Sequence, residues 1–169
     1  MGALGQLVGL WLVGQGAEQL SLLSRSGRPG RGRHWAQLQT SDASLELVAC
    51  DVSSCLVGLD AQPTGLVHAA GVDMYCSLTD LTQTEQDTVL APKTDGTSNL
   101  QVSLAESLLQ HAVLFSSASA LVGLRSGSMY ATANCCLDSF TQYQRTAGLP
   151  AQSVQWSAWT EIGMAAGVE

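Results

Sequence analysis

Residues 112–117 read Ala112-Val113-Leu114-Phe115-Ser116-Ser117, four apolar side chains in a row followed by two hydroxyls. A strand with one wet face alternates apolar and polar residues. A run that is apolar on both faces belongs to a parallel sheet covered by helices on each side. The same pattern recurs outward from this stretch. Gly65-Leu66-Val67-His68-Ala69-Ala70-Gly71 is a second apolar run, Leu45 to Val52 a third, Gln19 to Ser24 a fourth and Ser153 to Trp156 a fifth. Helical spacing fills the intervals. Leu4, Leu7, Val8, Trp11 and Leu12 predict a helix that stops at Gly14-Gln15-Gly16. A short helix follows from Trp35 to Thr40, and a long one covers Thr82 to Leu109 with a break near Pro92. Ser128 to Thr146 carries Leu137, Phe140 and Tyr143 as its apolar spacing. Strands alternating with helices predict one α/β domain over residues 1–169, a Rossmann-like doubly wound parallel sheet.

Composition narrows the function. The chain has 169 residues, 12% of them charged, about half the usual share of ~25%. Seven Lys+Arg against fourteen Asp+Glu give a net charge of −7. Neutralising nucleic-acid phosphates takes clustered cations, and only Arg25, Arg28, Arg31 and Arg33 lie close together, in a Gly/Pro-rich stretch. Nucleic acid is therefore not an expected partner. The five cysteines Cys50, Cys55, Cys76, Cys135 and Cys136 show no C-x-x-C spacing and lack a histidine pair to complete a zinc set, so buried reduced thiols and no metal are expected. Residues 1–17 are uncharged, but they have no basic start, contain five glycines and fall short of the roughly 20 apolar residues that span a membrane. A buried helix in a cytoplasmic protein is expected instead.

Three groups of residues could carry chemistry. Gly2-Ala3-Leu4-Gly5 opens the first helix like the second half of a G-x-G-x-x-G turn, whose glycines let the backbone approach a pyrophosphate; a plain small-residue helix start reads the same. Arg25 stands twenty residues past Gly5, after Ser24 at the end of the next strand. Nicotinamide-binding domains contact the adenosine ribose there, and an Arg favours a 2′-phosphate, so Ser24 and Arg25 argue for NADPH. Asp51, at the end of the following strand, is placed either to touch the adenine or to cap its own turn.

The second group lies farther along the chain. Tyr130 and Asn134 are four apart on one helix and share a face. Ser116 and Ser117 end a buried strand, at the rim where open α/β sheets bind ligands. A tyrosine donates its proton to a carbonyl more readily when a cation stands near it. The only lysine, Lys93, follows an Ala-Pro break, where a solvated side chain is the ordinary expectation. His68, on an apolar strand, reads as a core residue.

Taken in order, Gly2-Ala3-Leu4-Gly5, Leu23-Ser24-Arg25, Cys50-Asp51-Val52, His68-Ala69-Ala70-Gly71-Val72, Leu90-Ala91-Pro92-Lys93, Phe115-Ser116-Ser117-Ala118, Tyr130-Ala131-Thr132-Ala133-Asn134, Leu137-Asp138, Gly148-Leu149-Pro150-Ala151 and Trp156 through Gly163-Met164-Ala165-Ala166 form a set. The chain resembles the ketoreductase domain of modular polyketide synthases, within the short-chain dehydrogenase/reductase superfamily. Lys before Ser, with Asn four after Tyr, is the ketoreductase arrangement. The resemblance implies that Tyr130 donates the proton, Ser117 hydrogen-bonds the same carbonyl oxygen, Lys93 makes Tyr130 a better acid, and Asn134 positions water or Lys93. It assigns cofactor binding to Gly2, Leu4, Gly5, Ser24, Arg25, Asp51, Val52, Ala69, Ala70 and Gly71. The implied reaction is NADPH-dependent reduction of a β-ketoacyl thioester to the β-hydroxyacyl thioester. An acyl carrier protein would present the substrate on its phosphopantetheine arm, and other synthase domains would share the polypeptide. The rivals are a short-chain reductase of a free small ketone and a non-catalytic structural remnant.

Four departures accompany the resemblance. The family pattern has a strand and an earlier glycine before Gly2 and a further helix and strand after Glu169, so a partial domain lacking those elements is expected. Only fifteen residues separate Val52 from His68, too few for a crossover helix plus a strand. One stereochemical class has Leu-Asp-Asp where this chain has Asp73-Met74-Tyr75; the other has Trp where it has Val122.

Overall fold

β-Branched and leucine-rich runs form the strands, and all of them pair in parallel. The structure is a computed structural model that describes residues 1–54, 56–59 and 62–159. Cys55 and the segment Gly163-Met164-Ala165-Ala166 lie outside the described residues. Contacts divide the described residues into two units, residues 1–51 with 158–159 and residues 52–157.

The first unit holds α1 (Ala3–Gly14), β1 (Gln19–Ser24), α2 (Arg33–Gln39) and β2 (Ser44–Ala49). β1 and β2 form a parallel pair running from Gln19↔Ser44 to Ser24↔Ala49. Leu22, Trp35 and Leu38 are its buried core. The expected inward face of α1 is corrected. Trp11 is 61% exposed, and the helix buries Gln6 and Gly9 instead. Gly9 decides this: a Cβ there would stand 3.6 Å from both Leu20 and Leu38, so the bare backbone packs on the sheet and α2. Leu10 and Val13, one and four residues on, complete the inward face. β2 ends at Ala49 rather than Val52, because its partner ends at Ser24, whose carbonyl takes a last bond from the Cys50 N–H.

The second unit holds β3 (Gly65–His68), α3 (Gln83–Leu90), α4 (Thr94–Ser103), β4 (His111–Ser117), α5 (Ser119–Val122), α6 (Ser128–Thr146) and β5 (Ala151–Trp156). The strand order is β3-β4-β5, so β4, with its run Ala112-Val113-Leu114-Phe115, lies in the middle. Ala112, Leu114, Leu137 and Ala151 form the core between the sheet and α6. No helix occurs among the described residues between β2 and β3, in accord with the short spacing.

Two further expected boundaries change, while the break near Pro92 falls where it is expected. β3 stops at His68 rather than Gly71. The helical stretch after Thr82 is two helices, parted by the Ala91-Pro92-Lys93 turn, and it ends at Ser103 rather than Leu109. A capping box of Thr82 and Glu85 starts α3. Ser103 Oγ donates to the Asn99 carbonyl and accepts from the Val57 N–H, which fixes the end of α4 on the segment after β2. On α6, Leu137 is fully buried but Tyr143 is 66% exposed. Thr141 and Gln144, four and seven residues past Leu137, continue the buried stripe, whereas a six-residue step points away from it.

Candidate active site

The turn between α3 and α4 carries Lys93 inward. The Pro92 carbonyl accepts from His68 Nε2 at 3.0 Å, and the Lys93 carbonyl accepts from Thr97 Oγ1, so both sides of the turn are anchored. The solvated lysine expected from sequence is thereby corrected: Lys93 is 4% exposed. Its Nζ donates to the Phe115 carbonyl of β4 at 2.7 Å. Gly71 makes room for the stem, since a Cβ there would stand 3.1 Å from Lys93 Cε. Burial pulls the ammonium down from the ordinary 10.5 to about 8, and the charge of Asp138 opposes that by favouring the protonated form. His68 is a core residue as expected. Burial first, then the Lys93 charge, lowers it to about 4, against its bond to the Pro92 carbonyl.

The end of β4 connects this lysine to α6. Ser116 Oγ donates to the Asn134 carbonyl at 3.3 Å, and Asn134 Nδ2 donates to the Tyr130 carbonyl at 2.8 Å. Asn134 is fully buried, and its Oδ1 has no hydrogen-bond partner among the described residues. Ser117 Oγ accepts from the Ser119 N–H at 3.2 Å and shares a 3.0 Å bond with Ser119 Oγ, a role for α5 that the sequence did not announce. Lys93, Ser117, Asn134 and Tyr130 are thus joined through two residues of one strand and one turn of one helix.

The residues assigned to a cofactor divide between the units. In the first, Gly2 caps α1 in an extended conformation with no side-chain cap, and no acidic residue sits in the first turn. The first-turn N–H groups are therefore available to an anion, and a Cβ on Gly2 would meet nothing within 4 Å. Leu4 and Gly5 belong to that turn. Ser24 ends β1, Arg25 is exposed directly after it, and Asp51 is half-buried just past β2. In the second unit, Val52 packs on α4: its carbonyl accepts from Asn99 Nδ2 at 2.7 Å, and a Cβ on Gly96 would come within 2.9 Å of Val52 Cγ2. Ala69, Ala70 and Gly71 form the half-buried turn leaving β3.

The model of the KR domain family matches residues 1–161. The chain belongs to that family. It is 38% identical over 174 residues to polyketide synthase GfsB of Streptomyces halstedii, covering 97% of this chain and 3% of that one. With the 6-methylsalicylic acid synthase of Arthrobotrys oligospora it shares 35% identity over 191 residues, covering 100% of this chain and 11% of that one. A solved A1-type ketoreductase superposes with a TM-score of 0.88 at 32% identity, over 99% of this chain and 37% of the other. The chain therefore spans a small part of the synthases it matches.

Two features of this KR domain were not singled out from sequence as site residues. Asp138 follows Asn134 by four residues on α6 and bears electrostatically on Lys93; the four-residue spacing was the available signal. Tyr75 is 58% exposed, and its partial desolvation, then Asp73 and Tyr130 beside it, raise its hydroxyl above the ordinary value. The Cys76 N–H bonds the Ser126 carbonyl at 2.8 Å, holding the Tyr75 loop to the segment ahead of α6. The expectation of buried thiols holds for Cys50 and is corrected for Cys135 and Cys136, which are exposed and unbridged on α6. No helix among the described residues is long and apolar enough to cross a membrane.

Proposed function

We propose that this KR domain reduces a β-ketoacyl thioester to the β-hydroxyacyl thioester with NADPH, the substrate presented on the phosphopantetheine arm of an acyl carrier protein and other polyketide synthase domains sharing the polypeptide. The observation that carries this reading is the buried ammonium of Lys93, bonded to β4 beside the serines and linked through Ser116 and Asn134 to Tyr130. NADPH, when bound, supplies the hydride. Residues of the chain do the rest. Tyr130 gives its hydroxyl proton to the carbonyl oxygen as charge grows there, and Ser117 donates a hydrogen bond to the same oxygen. Lys93 supplies the positive charge that makes Tyr130 a better acid, and Asn134, whose Nδ2 bonds the Tyr130 carbonyl, positions water or Lys93.

The chain offers NADPH fitting groups. The uncapped N-terminus of α1, at Gly2, Leu4 and Gly5, suits the pyrophosphate, and Ser24 and Arg25 suit the 2′-phosphate. Asp51 and Val52 serve the adenine end. Ala69, Ala70 and Gly71 give a turn of small side chains along which the nicotinamide half can lie.

Arg25→Ala is expected to weaken NADPH relative to NADH by about ten- to a hundred-fold, the size of a charge-assisted contact worth roughly 1.5–3 kcal/mol. Titrating both nucleotides against nicotinamide fluorescence measures this. An unchanged preference would remove Arg25 from the site. For the reaction itself, rates with a β-ketoacyl thioester and with a free small ketone are compared. Faster turnover of the free ketone would reassign the domain to a small-molecule reductase, and NADPH binding with neither activity would make it a structural remnant.

A further inference from the structure

Tyr130, Asn134 and Asp138 follow one another at four-residue intervals and so form one stripe of α6. The third has no part in the reaction described above. Asp138 is half-buried; its Oδ2 accepts from Gln155 Nε2 of β5 at 2.7 Å, and its Oδ1 is buried with no hydrogen-bond partner among the described residues. A carboxylate oxygen kept dry and unbonded needs an opposite charge in view, and so does a buried ammonium. Lys93 is the chain's only lysine, it is buried, and it meets β4 at the Phe115 carbonyl, one residue before Ser116, whose sheet partner is the Gln155 that holds Asp138.

We propose that Asp138 is a positioning residue for Lys93: its carboxylate, oriented by Gln155, is the counter-charge that keeps the buried ammonium on the Phe115 carbonyl. The electrostatics agree, since Asp138 favours the charged form of Lys93 against the effect of burial. Other titratable groups near the pair are few. On elements packed against α6 they are Glu85 and Asp87 of α3, Asp95 of α4 and His111 at the start of β4. Glu85 is engaged in its capping box, Asp87 accepts from Gln83, and Asp95 and His111 are exposed. His68 of β3 bears on Lys93 and is neutral above about pH 4. On α6 itself stand Tyr130, Cys135, Cys136, Tyr143 and Arg145.

The consequence for catalysis rests on the reductase reading; the coupling does not. Lysine labelled with 13C at Cε gives this chain one lysine resonance, which reports protonation of Lys93 directly. The native midpoint is expected near 8. Asp138→Asn keeps the shape and an acceptor for Gln155 but removes the charge, and is expected to lower the midpoint by about one pH unit. Asp138→Glu is expected to restore most of it. Should the asparagine variant not fold, Asp138→Ser, neutral and small, is read the same way. In the intact polypeptide, the alkaline limb of kcat for thioester reduction is expected to move down by a similar amount, with KM unchanged. A Lys93 midpoint that stays put in the neutral variant, or a kcat limb that does not move, overturns the proposal. A midpoint that moves in a protein without reductase activity keeps the coupling and sinks the reductase reading instead.

Discussion

Replacing Tyr130 with phenylalanine is expected to lower turnover of a β-ketoacyl thioester by about 10²–10⁴, with NADPH affinity unchanged. The substitution removes one hydroxyl and keeps the ring. Asn134 bonds the Tyr130 carbonyl rather than its side chain, so the link from β4 to α6 survives. On the reductase reading, proton transfer in the transition state is what the hydroxyl contributes, and general acid catalysis commonly supplies a factor of this size. Steady-state kinetics with a separate cofactor titration measure the effect. Loss of NADPH binding together with activity would instead make Tyr130 a structural residue.

Lys93→Met is expected to lower turnover by about 10²–10³ without unfolding the protein. The two halves of that expectation have different causes. On the reductase reading, catalysis loses the cation that makes Tyr130 a better acid. Stability is set by opposing terms. The folded-state value of about 8 lies below the ordinary 10.5, so the unfolded chain holds this proton more tightly. Stability from this group is therefore full above pH 10.5, is lost as pH falls through about 8, and below that the buried charge costs about 3 kcal/mol. Methionine removes that cost near neutrality. It also leaves the Phe115 carbonyl without its donor, which costs about 1–3 kcal/mol in the other direction. The terms nearly cancel, so denaturant midpoints at pH 7 are expected close to native while activity is nearly gone. A variant that unfolds would show that Lys93 holds the turn rather than the chemistry.

Much of this was legible in the chain. The strand from Gln19 to Ser24 and the helix from Ser128 to Thr146 fall where apolar runs and period 3.6 place them, because each is long and strongly patterned. Strand ends were not legible. Val52 and Gly71 look as apolar as the strands before them, but a strand extends only while its neighbour does. β1 stops at Ser24, and β3 gives way to the turn that fits the stem of Lys93. The outward Trp11 escaped a reading that weighs side chains, since the contact face of α1 is centred on a glycine.

The candidate site was readable in part for a similar reason. Tyr130 and Asn134 share a face by spacing alone, and Ser117 ends a buried strand. Lys93 gave no such signal, because a lysine after Ala-Pro is usually in water. What buries it is tertiary: the His68 bond to Pro92, the bare backbone of Gly71 and the carbonyl of Phe115. Asp138 offered only its four-residue spacing from Asn134, since Gln155, which it bonds, and Lys93, on which its charge bears, lie 17 and 45 residues away in sequence.

The most direct test of the reductase reading follows the hydrogen itself. The polypeptide carrying this domain is mixed with NADPH deuterated at nicotinamide C4 and a β-ketoacyl thioester, and the product is examined by mass spectrometry. Deuterium is expected at the β-carbon of a β-hydroxyacyl thioester, at a rate that falls by about 10²–10⁴ in Tyr130→Phe. A folded, NADPH-binding protein that leaves the thioester unlabelled, or labels it equally fast without the Tyr130 hydroxyl, would contradict the assignment.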